Sequence, residues 1–279
     1  MIKELSGNDR TYLLQFLHDN ADLSDSDARF CIEKSDRVIA YETDSCATVG
    51  CGTFRLWGKD KNKSDVYIYV APEARNTGIG KALFNELVFR HDTVNLKFIS
   101  TKVETNHADS LAFFHDKGFQ PWYTEVVMRY SGKKLPEVEL KPVKYESEYF
   151  ERYVEAIRDS FYELRKTNDF EPYFCCEANE AKRNELEKNK DNIYLLLDGE
   201  KLVASVIVDK DTADDLFVTP LYQGRGIGKK MMSFAVNTAI NNGNGDVILN
   251  AIKWNAKALH VYESLGFHIV KSMHYLRLF

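Results

Sequence analysis

The chain has 279 residues, 44% of them hydrophobic and 13% aromatic, enough for two domains of about 140 residues each and too apolar for a disordered chain. A formal net charge of −5 and a pI near 5.9 argue against a broad nucleic-acid-binding surface, which needs clustered Lys and Arg. No stretch approaches the roughly 18 apolar residues of a membrane helix, and Met1 to Ser6 has no signal-peptide character, so a cytoplasmic protein without membrane attachment is expected.

In chain order, a short strand at Ile2 to Leu5 leads into a helix from about Asp9 to Asn20, followed by strand-like runs at Arg37 to Glu42, Cys51 to Trp57 and Val66 to Val70. A helix opens at Gly78 with Ile79, Leu83 and Leu87 on one face. The polar stretch Ser131 to Glu137, which holds both Gly and Pro, reads as a boundary between a domain at 1–134 and one at 135–279. Beyond it, strands are expected at Glu137 to Val143, Ile193 to Leu197, Leu202 to Val208 and Asp215 to Val218. The charged stretch Glu151 to Asn192 between the first two reads as two helices, and it is either the seat of substrate choice or a plain surface pair. A helix then starts at Gly226 with Ile227, Met231 and Ala235 on one face. After a strand at Val247 to Ala251, a last helix carries Ala258, Leu259, Tyr262 and Leu265 and ends at Gly266 as a C-cap.

The order of elements repeats because the sequence does. Arg75-Asn76-Thr77-Gly78-Ile79-Gly80-Lys81 and Gln223-Gly224-Arg225-Gly226-Ile227-Gly228-Lys229 share a Gly-Ile-Gly-Lys turn, and each is followed by a Gly-Phe pair, Gly118-Phe119 and Gly266-Phe267. Gly78 and Gly226 lie 148 residues apart, as do Gly118 and Gly266, so one unit has been duplicated with no net insertion between the two motifs. The five cysteines form no CxxC pair and no alternation with His; free thiols and no metal are expected, and neighbouring Cys175 and Cys176 bond to one another only with strain.

A glycine-rich turn opening a helix suits phosphate, because unpaired amides and the positive end of the helix dipole face one point. A dinucleotide fingerprint would need a third Gly where Leu83 and Met231 stand. A Walker loop would need Gly where Arg75 and Gln223 stand and Ser or Thr at Ala82 and Lys230. Both motifs fail in both copies.

The ordered set Val218, Pro220, Gln223, Gly226, Gly228, Asn255, Ala258, Tyr262, Gly266 and Phe267 resembles the GCN5-related N-acetyltransferases (GNAT), and with the repeat the resemblance covers both halves of the chain. It implies an α/β fold of two tandem units, each a mixed sheet flanked by helices and splayed between its fourth and fifth strands, with acetyl-CoA as co-substrate. The pyrophosphate is then expected on the amides of Gln223, Gly224, Arg225, Gly226, Ile227, Gly228 and Lys229, and the pantetheine arm beside Phe217 and Val218 like an added strand. Arg75, Gly78 and Gly80 are the matching positions of the first copy. Asn255 either contacts the pantetheine amides or caps the following helix.

Acetyl transfer to an amine needs a neutral amine, a stabilised oxyanion and a proton for the departing thiolate. Tyr262 falls where the family keeps a tyrosine near the sulfur and can supply that proton; the bland alternative is a core tyrosine. Asp214 and Asp215 precede the cofactor strand, and only one can face the cleft; it can take the amine proton, bind a cationic acceptor, or mark a solvated strand start. A backbone N–H near Val218 is the expected oxyanion donor. Counting from the turn, the first copy has Phe114 for Tyr262, Tyr67 for Asp215 and His107 for Asn255, and phenylalanine cannot give a proton. The expected function is therefore acetyl transfer in the second unit to a primary amine of a small molecule or peptide, with the first unit degenerate or auxiliary and the protein a monomer or homodimer without nucleic-acid partners. A non-catalytic acyl-CoA sensor or scaffold is the alternative.

Overall fold

The computed structural model describes residues 1–20, 24–58, 60–89, 96–243 and 245–279, apart from the side chains of Asn8 and Asp9. It contains two compact units. The first comprises Met1–Trp122 and the chain's last residues, His274–Phe279; the second comprises Tyr123–Met273. The polar stretch from Ser131 to Glu137 thus lies inside the second unit.

The first unit runs β1 (Ile2–Glu4), α1 (Thr11–Asn20), α2 (Asp25–Glu33), β2 (Arg37–Glu42), β3 (Thr48–Trp57), β4 (Lys63–Val70), α3 (Ile79–Val88), β5 (Phe98–Glu104) and α4 (Ala108–Asp116). Its strands lie in the order β1-β2-β3-β4-β5, antiparallel except for the parallel pair β4 and β5. The stripe read from the sequence does pack inward: Leu83, Phe84, Leu87 and Val88 of α3 are buried with Ile39, Phe54 and Val66 of the sheet. Phe119, shortly after α4, and Leu276, near the C-terminus, close that core. Leu13 and Leu17 of α1 and Ile32 of α2 pack on the other side with Val38 and Ala40.

Two strands cross from one unit to the other along the chain, β6 (Gln120–Tyr130) and the final β12 (His268–Leu278). Between them the second unit runs β7 (Val143–Lys144), α5 (Phe150–Thr167), α6 (Glu180–Asn189), β8 (Ile193–Asp198), β9 (Lys201–Asp209), β10 (Thr212–Val218), α7 (Ile227–Asn241), β11 (Val247–Ile252) and α8 (Ala256–Ser264). Its strand order is β6-β11-β10-β9-β8-β7, again mixed, with β10 and β11 parallel. Met231, Met232, Ala235, Val236 and Ala239 of α7 bury one face of this sheet, and Tyr153, Val154 and Ile157 of α5 bury the other.

One expected strand is nearly absent. Of Glu137 to Val143 only Val143 is in a strand, as the first residue of the two-residue β7, because Pro142 lacks a ladder donor and because Asn237 of α7 captures the preceding segment. The Asn237 carboxamide accepts from the Leu135 amide at 2.8 Å and donates to the Leu135 carbonyl at 2.9 Å, while Leu135 and Leu140 pack on the α7 core.

Candidate active site

The parallel strands of each unit separate soon after they meet. β10 and β11 pair only at Thr212 and Ile248, whereas β11 stays paired with β6 from Val247 to Ile252. The rest of β10, down to Val218, therefore faces a gap on its β11 side. In the first unit β4 and β5 pair at Lys63, Ser64 and Asp65 and then part.

At the end of β10 the turn is built by short-range hydrogen bonds. The Thr219 amide donates to Val203 O at 2.9 Å, the Gln223 amide to Pro220 O at 3.3 Å, and the Gln223 side chain folds back onto Val218 O at 2.9 Å. Gly224 and Gly226 then take φ of 75°, and α7 starts. A side chain at either position would sit in the disfavoured left-handed region, which is why this turn needs glycine. Gly228 is different. Its φ is ordinary, and a Cβ there would touch only the Val218 methyl at 3.6 Å, an unstrained distance. The space before it is open, and the amides of Ile227, Gly228 and Lys229 have no acceptor within the helix; the first paired one is Lys230, bonded to Gly226 O at 3.2 Å. A glycine that the fold does not require, among outward-facing amides at a helix start, fits a diphosphate. The Gln223 side chain and amide are engaged inside the turn and Arg225 donates to Leu221 O at 3.0 Å, so the free amides from Gly224 to Lys229 remain to hold an anion.

Between the gap and the turn, β10 carries a β-bulge. Thr212, Ala213 and Asp214 pair with Asp209, Val208 and Ile207, but Phe217 pairs with Ser205, so Asp215 and Leu216 together oppose Val206 alone. Asp215 has a φ of 47°, uncommon for a non-glycine residue though in the left-handed region that aspartate visits more readily than most, and it sits in the bulge. β4 has no such break: its ladder with β3 runs from Lys63 opposite Trp57 to Val70 opposite Gly50 without a shift. The two ladders revise the counting from the turn. Val70 and Val218 occupy one place, so Tyr67, opposite Thr53, matches Asp214, opposite Ile207, and Asp215 belongs to the extra residue.

The two carboxyls meet different surroundings. Asp214 is half-buried; burial and the neighbouring Asp215 raise its pKa, while the Asn250 amide opposes the rise. Its charge is felt by Tyr262 of α8, whose phenol is buried and pushed up to about 12, mostly by burial and then by Asp214. The Tyr262 hydroxyl makes no hydrogen bond among the described residues, and its ring packs on Phe267 at 6.1 Å. Asp215 remains accessible to solvent but is hemmed in by protein. Burial raises its pKa, Glu185 adds to the rise, and Lys182 opposes it. Asp215 also acts on Tyr153 of α5 and on Cys175. The Cys175 thiol is drawn down to about 7, first by the adjacent Cys176 and also by Arg165.

Of the other residues singled out, Phe217 points its side chain away from the turn, into the α5 core against Tyr153 at 5.6 Å, and Val218 lies at the strand end beside Gly228. The Asn255 side-chain oxygen caps α8, accepting from the Ala258 amide at 3.2 Å. Two buried hydroxyls next to the bulge, on Tyr153 and Ser205, have no counterpart in the reading of the sequence. No motif spacing marks them, since one sits on α5 and the other on β9.

The first unit retains the turn. Gly78 starts α3 with a φ of 89°, and Asn76, at the place of Gly224, has a φ of 61°, which asparagine tolerates. Arg75 folds back onto Val70 O at 3.1 Å as Gln223 does onto Val218 O. In front of Gly80, however, the Phe113 ring stands 3.5 Å from where a Cβ would be, and Phe114 is buried in the aromatic core. Among the described residues no group of His, Cys, Asp or Glu side chains is arranged to hold a metal ion, and no helix is long and apolar enough to cross a membrane.

Comparison with known proteins agrees with this geometry. The profile of the acetyltransferase (GNAT) family matches residues 6–119 and again 152–267. A tandem GNAT protein from the clavulanic acid biosynthesis pathway superposes with a TM-score of 0.69 at 14% identity over 100% of this chain and 98% of that one. A GCN5-related N-acetyltransferase from Sphaerobacter thermophilus does so with a TM-score of 0.69 at 14% identity, over 95% of this chain and 84% of that one. These show the fold. In sequence, the thialysine N-epsilon-acetyltransferase of Mus musculus is 38% identical over 53 residues, which is 19% of this chain and 31% of the relative. The streptothricin acetyltransferase of Streptomyces lavendulae is 38% identical over 56 residues, 20% of this chain and 30% of the relative. The match spans less than a third of the length of either relative.

Proposed function

Since the chain belongs to the acetyltransferase (GNAT) family and carries the fold twice, we propose that its second unit transfers an acetyl group from acetyl-CoA to a primary amine. The observation that carries this reading is the bulge at Asp215, on the strand that leads into the open amides after Gly226 and next to Asp214, whose charge the buried phenol of Tyr262 feels. Acetyl-CoA supplies the activated acyl group; the amides from Gly224 to Lys229 hold its diphosphate, and the unpaired β11-facing edge of β10 receives its pantetheine. In the first unit Gly78 and Gly80 stand at the corresponding places, with Arg75 spent on the turn as Gln223 is and Phe113 beside Gly80.

The side chains divide the proton work. An acceptor amine is an ammonium ion at neutral pH, and Asp215, accessible and next to α5 and α6, binds it and takes its proton. Tyr262, with a pKa of about 12, is a phenol throughout the neutral range and delivers a proton to the leaving sulfur. Asp214 helps keep that proton in place, because its negative charge disfavours a phenolate. Backbone N–H groups where the bulge ends, near Val218, stabilise charge on the acyl oxygen whatever side chains surround them. The relatives' names specify an N-epsilon position of thialysine and streptothricin as acceptors, which supports a small-molecule amine here too.

The first unit keeps the turn without the bulge or the tyrosine, so it does not turn acetyl-CoA over. An assay of thiol release from acetyl-CoA over a panel of diamines, amino acids and aminoglycosides tests the proposal. Tight acetyl-CoA binding with no release on any amine would instead identify an acyl-CoA sensor.

A further inference from the structure

Under the β10 bulge lie two hydroxyls that the reaction as described does not use. Tyr153 and Ser205 are both 0% exposed; the Ser205 hydroxyl lies close enough to the Tyr153 phenol to oppose the rise in its pKa, yet no well-aligned hydrogen bond joins the two or pairs either with another described residue. Buried hydroxyls left unpaired are unfavourable, so each needs a reason to persist. Their position supplies one. Ser205 pairs with Phe217 in the β9–β10 ladder, the residue at which register resumes after the bulge, and the Tyr153 ring packs on Phe217 and Tyr145 at 5.6 and 5.8 Å. Both hydroxyls therefore sit on the α5 side of β10, beside each other and beside the bulged backbone at Asp215.

We propose that Tyr153 and Ser205 are positioning residues for Asp215, two sealed donors that turn toward its carboxylate when it is charged. The proposal rests on the reading of Asp215 as the group that receives the amine proton. The other groups facing Asp215 leave it short of donors: Lys182 of α6 is held by Glu185 at 2.7 Å, Glu185 and Asp214 repel a second negative charge, and Cys175 carries a thiol drawn down toward neutrality. Hydroxyls donating to a carboxylate favour its ionised form, so they hold down a pKa that burial raises. Removing them lets it rise further. A purely structural Tyr153 would instead act through its ring alone, which Phe preserves.

The test is a carboxyl-carbon NMR titration of the full chain, with the Asp215 signal identified by its loss in Asp215→Asn. In Tyr153→Phe the midpoint is expected to move up by roughly one pH unit, and in Ser205→Ala by less in the same direction, with the melting temperature unchanged or higher in both. Midpoints identical to wild type in both variants overturn the proposal, and Ser205→Ala decides it should Tyr153→Phe not fold. The acid limb of kcat is measured alongside. Should the midpoint move while the limb stays, the positioning stands and the assignment of Asp215 as proton acceptor falls.

Discussion

The two units share a turn but not the strand that leads into it. In β4 the ladder to β3 is continuous and Tyr67 fills the place of Asp214; in β10 one extra residue breaks the ladder and forces Asp215 to a φ of 47°. Past the turn, Phe114 is buried where Tyr262 stands, and the Phe113 ring lies beside Gly80, whereas a Cβ on its counterpart Gly228 would meet only Val218. The shared parts explain themselves by folding alone: Gly78 and Gly226 start helices in the left-handed region, and Arg75 and Gln223 brace the same carbonyl. Retention of the motif in the first unit is therefore weak testimony to activity. What differs is the set of features that folding does not need, an aspartate in the left-handed region and a buried phenol without a partner, and the proposal that the second unit carries the chemistry rests on them.

The sharpest way to break this contrast is at the bulge. Asp215→Asn is expected to lower kcat by about a thousandfold, within the span of general base catalysis, as steady-state thiol release would read. The same substitution removes the acid limb of the pH profile. Because the Asp215 pKa is raised in the folded protein, the wild-type limb lies above the usual carboxylate range, with activity present above it and lost as pH falls through it. A variant of near wild-type rate and unchanged profile would take Asp215 out of the mechanism.

Next in size comes Gly228→Ala, which separates binding from folding. A Cβ meets only Val218 at 3.6 Å and alanine favours the helix by about 1 kcal/mol, so the melting temperature should hold or rise. The KM for acetyl-CoA should nonetheless rise by roughly tenfold or more as the diphosphate loses its charge-assisted bonds to the amides. A KM left as in wild type would show that the anion does not sit there. The smallest effect is expected from Phe114→Tyr in the first unit: turnover within about twofold of wild type, with some loss of stability from burying a hydroxyl. A large gain in turnover would mean that the first cleft lacks only its acid.

The sequence made the architecture legible because the duplicated motif is local: a turn, a helix stripe and a Gly-Phe pair are read at fixed spacings, and α3, α7 and α8 lie where those spacings put them. Arg37–Glu42 is a strand over the span its β-branched and aromatic residues suggest. Features set by long-range partners were not legible. The bulge is a mismatch between β9 and β10, invisible in either strand alone, and it shifts the match of Tyr67 from Asp215 to Asp214. The segment after Pro136 alternates like a strand, yet Pro142 denies it a ladder donor and Asn237, about a hundred residues later, holds Leu135 just before it. Tyr153 and Ser205 meet beneath the bulge from separate elements, so no motif could announce them.

The most direct test of the account is thiol release from acetyl-CoA, in the presence of the best amine of the panel, by wild type and by Tyr262→Phe. The account predicts turnover by wild type and a kcat about a hundredfold lower in the variant, with the KM for acetyl-CoA little changed, because the ring still packs and only the proton donor is gone. Equal rates in the two proteins would contradict it.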